Sequence, residues 1–246
     1  MTRCMLALRL TSRPRTALTQ PVIDAHLEAY FTHVHPTHAG AFLHPPFTRL
    51  RVRTGRIDRC LLLAICAVSA PFTAAGHPTY QSRLDAAEWA KEAKTSLILE
   101  GDMTLDTIAA TLILAKYDVN VGQYGSAWIL GSIANRMVLA LGLHRELPPD
   151  DTVTEAERET RRRLFWACYC LDRIMSTGVS DFVTTKADIV GVRLPMMEDR
   201  FERGMPSLAG MMPPEGHAAL GRPDTGETGL LAAYVTMVGM RFEVSR

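Results

Sequence analysis

The chain has 246 residues, 47% of them hydrophobic, which is enough for one large domain or two small ones with a sizeable core. Twenty-seven basic residues against 26 acidic ones leave a formal charge of +1, and this argues against a broad basic surface that wraps nucleic acid. Five cysteines, an odd number without regular spacing, argue against a disulfide framework and fit a reducing compartment.

Residues 1–20 carry Arg3, Arg9, Arg13 and Arg15 with no acid before Asp24. This composition reads as a disordered basic arm or the stub of something longer, with a mitochondrial transit peptide as the rival reading. Pro21 to Phe31 is a short helix candidate, since Val22, Leu27, Tyr30 and Phe31 share one face. His35-Pro36 through Pro45-Pro46 reads as a loop, because proline removes a backbone donor and disfavours helix in the residue before it. Helix is expected to resume at about Ile57.

The apolar run Leu61 to Phe72 falls short of the ~20 residues that cross a bilayer and reads as a buried helix. Leu84 to Leu99 alternates acids and bases around Ala87, Ala90, Ala93, Leu97 and Ile98, the pattern of an amphipathic surface helix. Leu105, Ile108, Leu112 and Ala115 form a core-facing stripe, and Ile129, Ile133, Met137 and Leu141 a second. Gly142 is placed as a left-handed helix stop, with Leu143 packing back as in a Schellman cap.

Thr154 and Glu157 have capping-box spacing and open the clearest helix, with the stripe Leu164, Cys168, Leu171 and Met175. Glu157 to Arg161 and Glu159 to Arg163 are i,i+4 pairs in the favourable order. Met196 to Gly229 is rich in Met, Pro and Gly without periodicity and reads as a loop or linker. Leu230 to Val244 begins a further helix that stops at Arg246 without a cap, as if a larger architecture had been cut short. The expected division is an arm at 1–20, a helical domain at 21–195, a loop at 196–229 and a truncated helix at 230–246.

Few groups offer chemistry. His33, His35 and His38 could be a clustered metal site, but no Asp or Glu between Glu28 and Asp58 supplies an outer shell, so loop and packing histidines are the expectation. Cys168 and Cys170 project roughly 200° apart on one helix and cannot share an ion, which makes them buried structural thiols. Arg161-Arg162-Arg163 could bind phosphate or act as a nuclear signal, yet Glu155, Glu157 and Glu159 neutralise the run, so a solvated, salt-bridged face is expected. Trp128 and Trp166 are expected as core anchors rather than walls of an effector pocket. No nucleophile elbow, His-Glu-x-x-His, Walker loop or dinucleotide glycine fingerprint occurs, so no enzyme is expected.

Separate segments, taken together and in order, resemble the fungus-specific transcription factor domain, the middle region of regulators that carry a binuclear zinc cluster. They are Tyr30 to Pro36 with Phe42 to Phe47; Leu61 to Phe72; and Ala127-Trp128, Arg136-Met137 and Leu141-Gly142-Leu143-His144-Arg145-Glu146. Glu157, Arg161 to Trp166, and Leu171-Asp172-Arg173 complete the set. The resemblance spans about Val22 to Pro195 and carries His35, Pro36, His44, Trp128, Arg136, Gly142, His144, Arg145, Trp166, Asp172 and Arg173 as family positions of structural or regulatory weight. The chain departs from the family at Gly178-Val179-Ser180-Asp181-Phe182, where Gly-Arg-Pro is usual.

The resemblance implies an all-α fold, a bundle of roughly antiparallel helices acting as a nuclear regulatory module. It implies partners among other transcription regulators or a second copy, a small-molecule effector, and a metabolic or secondary-metabolite gene cluster as target. A zinc cluster needs six closely spaced cysteines, and only Cys4 lies in the first 59 residues. The chain itself therefore carries no cofactor, and DNA is a partner only if zinc is held elsewhere. The alternatives are a relative that acts by protein–protein contact without DNA, and a metalloenzyme built on the His33 to His44 loop.

Overall fold

A computed structural model describes residues 18–37, 40–73, 80–99, 101–150, 152–176, 179–212 and 229–244. The basic arm with Cys4, together with His38 and Gly178, lies outside these residues. The described residues form nine α-helices and no strand, the all-α fold that the sequence implies.

Helix α1 (Gln20–Ala29) begins with proline in its first turn and continues as a π-helical turn over Tyr30–Val34. This turn carries Tyr30, Phe31 and Val34 into the core, three residues further than the expected end. Helix α2 (Pro45–Arg53) corrects the expectation that helix resumes only near Ile57. Pro45-Pro46 fill the first helical positions, where a missing N–H costs nothing, and His44 caps them by accepting from Phe47 N at 3.3 Å.

Helix α3 (Arg59–Thr73) is the central element, packed against α1, α4 (Tyr80–Leu99) and α5 (Leu105–Asn120). Its residues from Cys60 to Ala70 are buried except Leu62, so the apolar run is a core helix. Helix α4 buries Ala86, Trp89, Ala90, Ala93 and Leu97. Ala87 and Ile98, expected inside, face solvent, because Trp89 sets the rotation of the helix.

Thr104 caps α5 by accepting from Thr107 N at 3.1 Å, and Ile108, Leu112 and Ala115 are buried as the stripe predicts. Three residues link α5 to α6 (Tyr124–Ala140), a connection that pairs helices side by side. Helix α6 buries Ala127, Leu130, Gly131, Ala134, Met137 and Val138. The inward face is thus the small-residue face, and Ile129 is 57% exposed rather than part of the core. A Cβ at Gly131 would stand 3.2 Å from Leu171, so glycine sets how closely α6 approaches α7 (Glu155–Ser176).

Gly142 takes φ +67°, and Gly142 N and Leu143 N bond back to Leu139 O and Val138 O. These two bonds are the expected Schellman cap, with Leu143 buried against the core. Thr154 accepts from Glu157 N at 3.2 Å and so starts α7 as predicted. After α7 the chain runs as a strap along the helix, with single 3-10 turns at Ser180–Phe182 and Ala187–Ile189. It enters α8 (Glu198–Glu202), a helix inside the segment expected to be irregular. Helix α9 (Leu230–Val244) packs on α7.

Candidate functional site

Side chains of the family-like positions converge where α7 meets the strap. Glu159 lies one turn before Arg163, and both side chains are inaccessible to solvent. Glu159 Oε1 accepts from Arg163 Nε at 2.8 Å and from Met196 N at 2.9 Å. Arg163 also donates to Ala41 O at 2.7 Å, Met196 O at 2.9 Å and Glu198 Oε2 at 2.5 Å, and its guanidinium lies 4.0 Å from the Phe201 ring centre. One residue thereby ties the His-Pro loop, the strap and α8 to α7.

Arg162 faces the other way and grips Glu146 with paired bonds of 2.9 Å, the forked geometry in which guanidinium and carboxylate match best. Glu146 accepts in turn from Arg193 N at 2.9 Å. Burial raises the Glu146 carboxyl, but its bonds to Arg162 and Arg193 outweigh this and hold it below the usual range. Burial also pushes up the Glu159 carboxyl, against the pull of Arg163, Met196 N and Arg162.

The expected solvated face at Arg161-Arg162-Arg163 is therefore corrected. Arg162 and Arg163 are 5% and 1% exposed, and only Arg161 keeps partial access to solvent. Partners 16 to 122 positions away in sequence account for the burial, since an isolated guanidinium would not enter the core unpaired.

Farther along α7, Trp166 is fully buried, as expected of a core anchor, and donates to Arg193 O at 2.6 Å. Asp172 accepts from Thr184 N and Thr185 N, each at 3.0 Å. Arg173 donates to Thr185 O at 3.1 Å while its guanidinium sits 3.3 Å from the Tyr169 ring centre. Trp166, Asp172 and Arg173 thus hold the backbone of residues 184–193 along the helix.

The N-terminal family positions join this site from the opposite side. His35 is buried and donates through Nε2 to Leu43 O at 3.0 Å, with Glu198 Oε1 3.9 Å from the same nitrogen. His44 donates through Nε2 to Glu202 O at 3.2 Å, so its cap on Phe47 uses the unprotonated Nδ1. Pro36 is exposed. His33 stacks on Phe72 at 4.9 Å, in surroundings that differ from those of His35. Among the described residues no three His, Cys, Asp or Glu side chains gather as metal ligands.

The remaining family positions lie apart. Arg136 and Arg145 are exposed, and His144 accepts from Gly191 N through its carbonyl at 2.8 Å. Trp128, expected as a core anchor, is 49% exposed. The helix rotates its small residues inward, leaving Trp128 on the rim of a shallow groove with Leu171, Met175 and Phe182. Glu146, Glu159, Arg163 and Glu198 went unmarked as a network because their charges read as surface charges along the sequence.

The geometry defines a class: a helical domain whose buried polar side chains on α7 are spent on internal ties. The fungal specific transcription factor domain matches residues 27–204, from α1 to the end of α8. The chain belongs to this family.

Similar proteins include the Zn(2)-C6 fungal-type transcription factor FTF1c of Fusarium oxysporum f. sp. lycopersici, 29% identical over 91% of this chain and 26% of that protein. FTF1a of the same organism, also named a Zn(2)-C6 fungal-type transcription factor, is 32% identical over 74% of this chain and 18% of that protein. An uncharacterized transcriptional regulatory protein of Schizosaccharomyces pombe is 28% identical over 94% of this chain and 25% of that protein. The chain thus spans about a quarter or less of the length of these relatives. No solved structure matches it.

The cysteines present do not fit the zinc cluster for which the Fusarium relatives are named. Cys60, Cys66, Cys168 and Cys170 are buried within α3 and α7, and the whole chain holds five cysteines where the cluster needs six. Burial pushes the Cys66 and Cys170 thiols up to about 12, and that of Cys168 well above its ordinary value. Such thiols resist the deprotonation that metal ligation requires.

Proposed function

We propose that this chain is the regulatory domain of a transcriptional regulator and works in the nucleus. The observation that carries the reading is the family match over residues 27–204, which coincides with a bundle locked by Glu159, Arg163, Trp166 and Asp172. Such an arrangement suits a rigid platform that transmits the presence of a partner or effector and performs no reaction. Its partners are other transcription regulators or a second copy of the chain, together with a small-molecule effector. DNA is a partner only through a zinc cluster carried elsewhere. Control of a metabolic or secondary-metabolite gene cluster belongs to the same proposal and rests on family analogy.

The buried thiols favour a second reading, in which this chain acts on full-length regulators by protein–protein contact without touching DNA. Two measurements separate these readings. Fused to a heterologous DNA-binding domain, the chain changes reporter output if the first reading holds, and no change from the DNA-binding domain alone overturns it. Sequence-selective binding of promoter DNA by the purified chain at moderate salt overturns the second.

A further inference from the structure

Helix α6 turns an uncharged face to solvent. From Tyr124 to Asn135 it holds no Asp, Glu, Lys, Arg or His, and its outer side carries Tyr124, Gly125, Trp128, Ile129 and Ser132, with Arg136 one turn further on. Phe182 extends this apolar surface beside Trp128 across the shallow groove to α7. Tyr124, Trp128 and Phe182 are 67%, 49% and 59% exposed. Taking ~200 Å² for a whole aromatic side chain, they alone leave roughly 350 Å² of ring surface uncovered. A contiguous apolar patch of that order, rimmed by polar groups, marks an interaction surface.

The face is complementary to itself. At about 100° per residue, Gly125, Trp128, Ser132, Arg136 and Leu139 fall within about 80° of one another, in a spacing that mirrors itself about Ser132. A second copy laid antiparallel on a two-fold axis at Ser132 brings Arg136 level with Trp128 of that copy. Leu139 comes level with Gly125 of that copy, where a Cβ would find no heavy atom within 4 Å and a larger side chain has room. Arg136 is exposed and enters none of the ion pairs of the described residues. Its guanidinium can therefore lie on the Trp128 ring and approach the exposed Asp181, the residue before Phe182. A parallel copy would set Arg136 against Arg136, and a strongly charged partner helix would find a single charged residue on α6 to answer it.

We propose that the outer face of α6 is a self-association surface, on which a second copy of the chain lies antiparallel about a two-fold axis near Ser132. Each copy contributes the same patch, and Arg136 of each meets Trp128 of the other. The inference deepens the second-copy part of the proposed function and rests on that reading. The patch falls short of the ~800 Å² that each partner gives to a standard interface, so association is weak, with a dissociation constant on the order of 10 µM.

The test uses the full chain in sedimentation equilibrium between about 1 and 200 µM, where the average mass is expected to rise from one chain toward two. Ser132→Arg sets two cations on the axis, and Arg136→Glu takes the cation from Trp128 and turns an acid toward Asp181. Each is expected to weaken association by ~10-fold or more with the helical circular dichroism unchanged, and either one suffices should the other not fold. Orientation is read by oxidative cross-linking on a Cys4→Ser background. Chains with Ser132→Cys link to one another. Chains with Gly125→Cys do not, because the antiparallel arrangement keeps the two copies of that position about 21 Å apart along the helices.

A mass of one chain at every concentration overturns the second copy and leaves the face to a different protein. Undiminished association in the folded variants overturns the α6 face, and equal linking at both cysteine positions overturns the antiparallel arrangement. Association with an inactive reporter fusion overturns the regulator reading alone. A responsive fusion of a chain that stays single overturns the interface alone.

Discussion

Arg163 and Glu159 meet at 2.8 Å where neither side chain has access to water. A charge held there is tolerated only while its partner and the remaining bonds are in place. Arg163→Ala or Glu159→Ala is expected to destabilise the domain by about 3–5 kcal/mol, since each strips a buried charge of its nearest counter-charge. The double replacement Glu159→Ala with Arg163→Ala costs less than the two single losses added together. Urea unfolding of the four proteins measures both, and simple additivity would show that the pair is uncoupled.

Trp166 and Trp128 lie on neighbouring helices with opposite fates. Trp166→Phe removes the donor to Arg193 O and leaves the buried side of a part-buried bond unmet, a loss of about 1–3 kcal/mol. Trp128→Ala, half in solvent, is expected to stay within about 0.5 kcal/mol of the parent. Thermal melts of the two variants rank them, and a larger loss at Trp128 would place that side chain in the core.

Gly142 takes φ +67°, a region in which a side chain meets the following carbonyl. No heavy atom lies within 4 Å of the place where its Cβ would stand, so backbone strain is the whole effect of Gly142→Ala. The expected loss is roughly 1–2 kcal/mol, and Gly142→Asn, which tolerates this conformation, costs less. Equal losses in denaturant titration would contradict a conformational origin.

Acid weakens the fold in two windows. Burial holds His26 and His35 below the ordinary histidine value, so the unfolded chain takes up their protons first. Their contribution is unchanged above about pH 6.5 and becomes a loss of stability as pH falls from there toward the folded-state values. Glu146, held low by Arg162 and Arg193, contributes stability above about pH 4.3 that is lost as pH falls through its folded-state value. Melting temperatures between about pH 8 and 3 should therefore fall in two stages, and His35→Asn should reduce the first. A flat profile from about pH 7.5 to 5.5 would contradict the histidine account.

Cys60, Cys66, Cys168 and Cys170 are expected to resist an aqueous thiol reagent in the native protein and to react in denaturant. Rapid labelling of any of the four under native conditions, resolved by peptide mass, would show that α3 or α7 opens more readily than its packing allows.

Much of the helical framework was legible because its signals are local. Thr154, Gly142 and the α5 stripe each act within a few residues of themselves, and each stands where its spacing placed it. Helix α2 was hidden because Pro45-Pro46 reads as a breaker unless His44 is seen to cap it. The rotation of α6 departs from its stripe because Ala127, Gly131 and Ala134 permit a closer approach than the larger Ile129. Charge neighbours alone suggested solvent at Arg161 to Arg163, whereas Ala41 and Glu198 come from other parts of the chain.

The ties from Arg163 to Met196 and Glu198 also bear on how short a working fragment can be. A protein ended at Pro195 keeps every long helix through α7, yet it deprives a sealed guanidinium of two acceptors. Its companion Glu159 loses the amide of Met196 in the same cut. Met196 and Glu198, at the end of the strap and the start of α8, therefore weigh on the solubility of any shortened version more heavily than their place outside the long helices suggests.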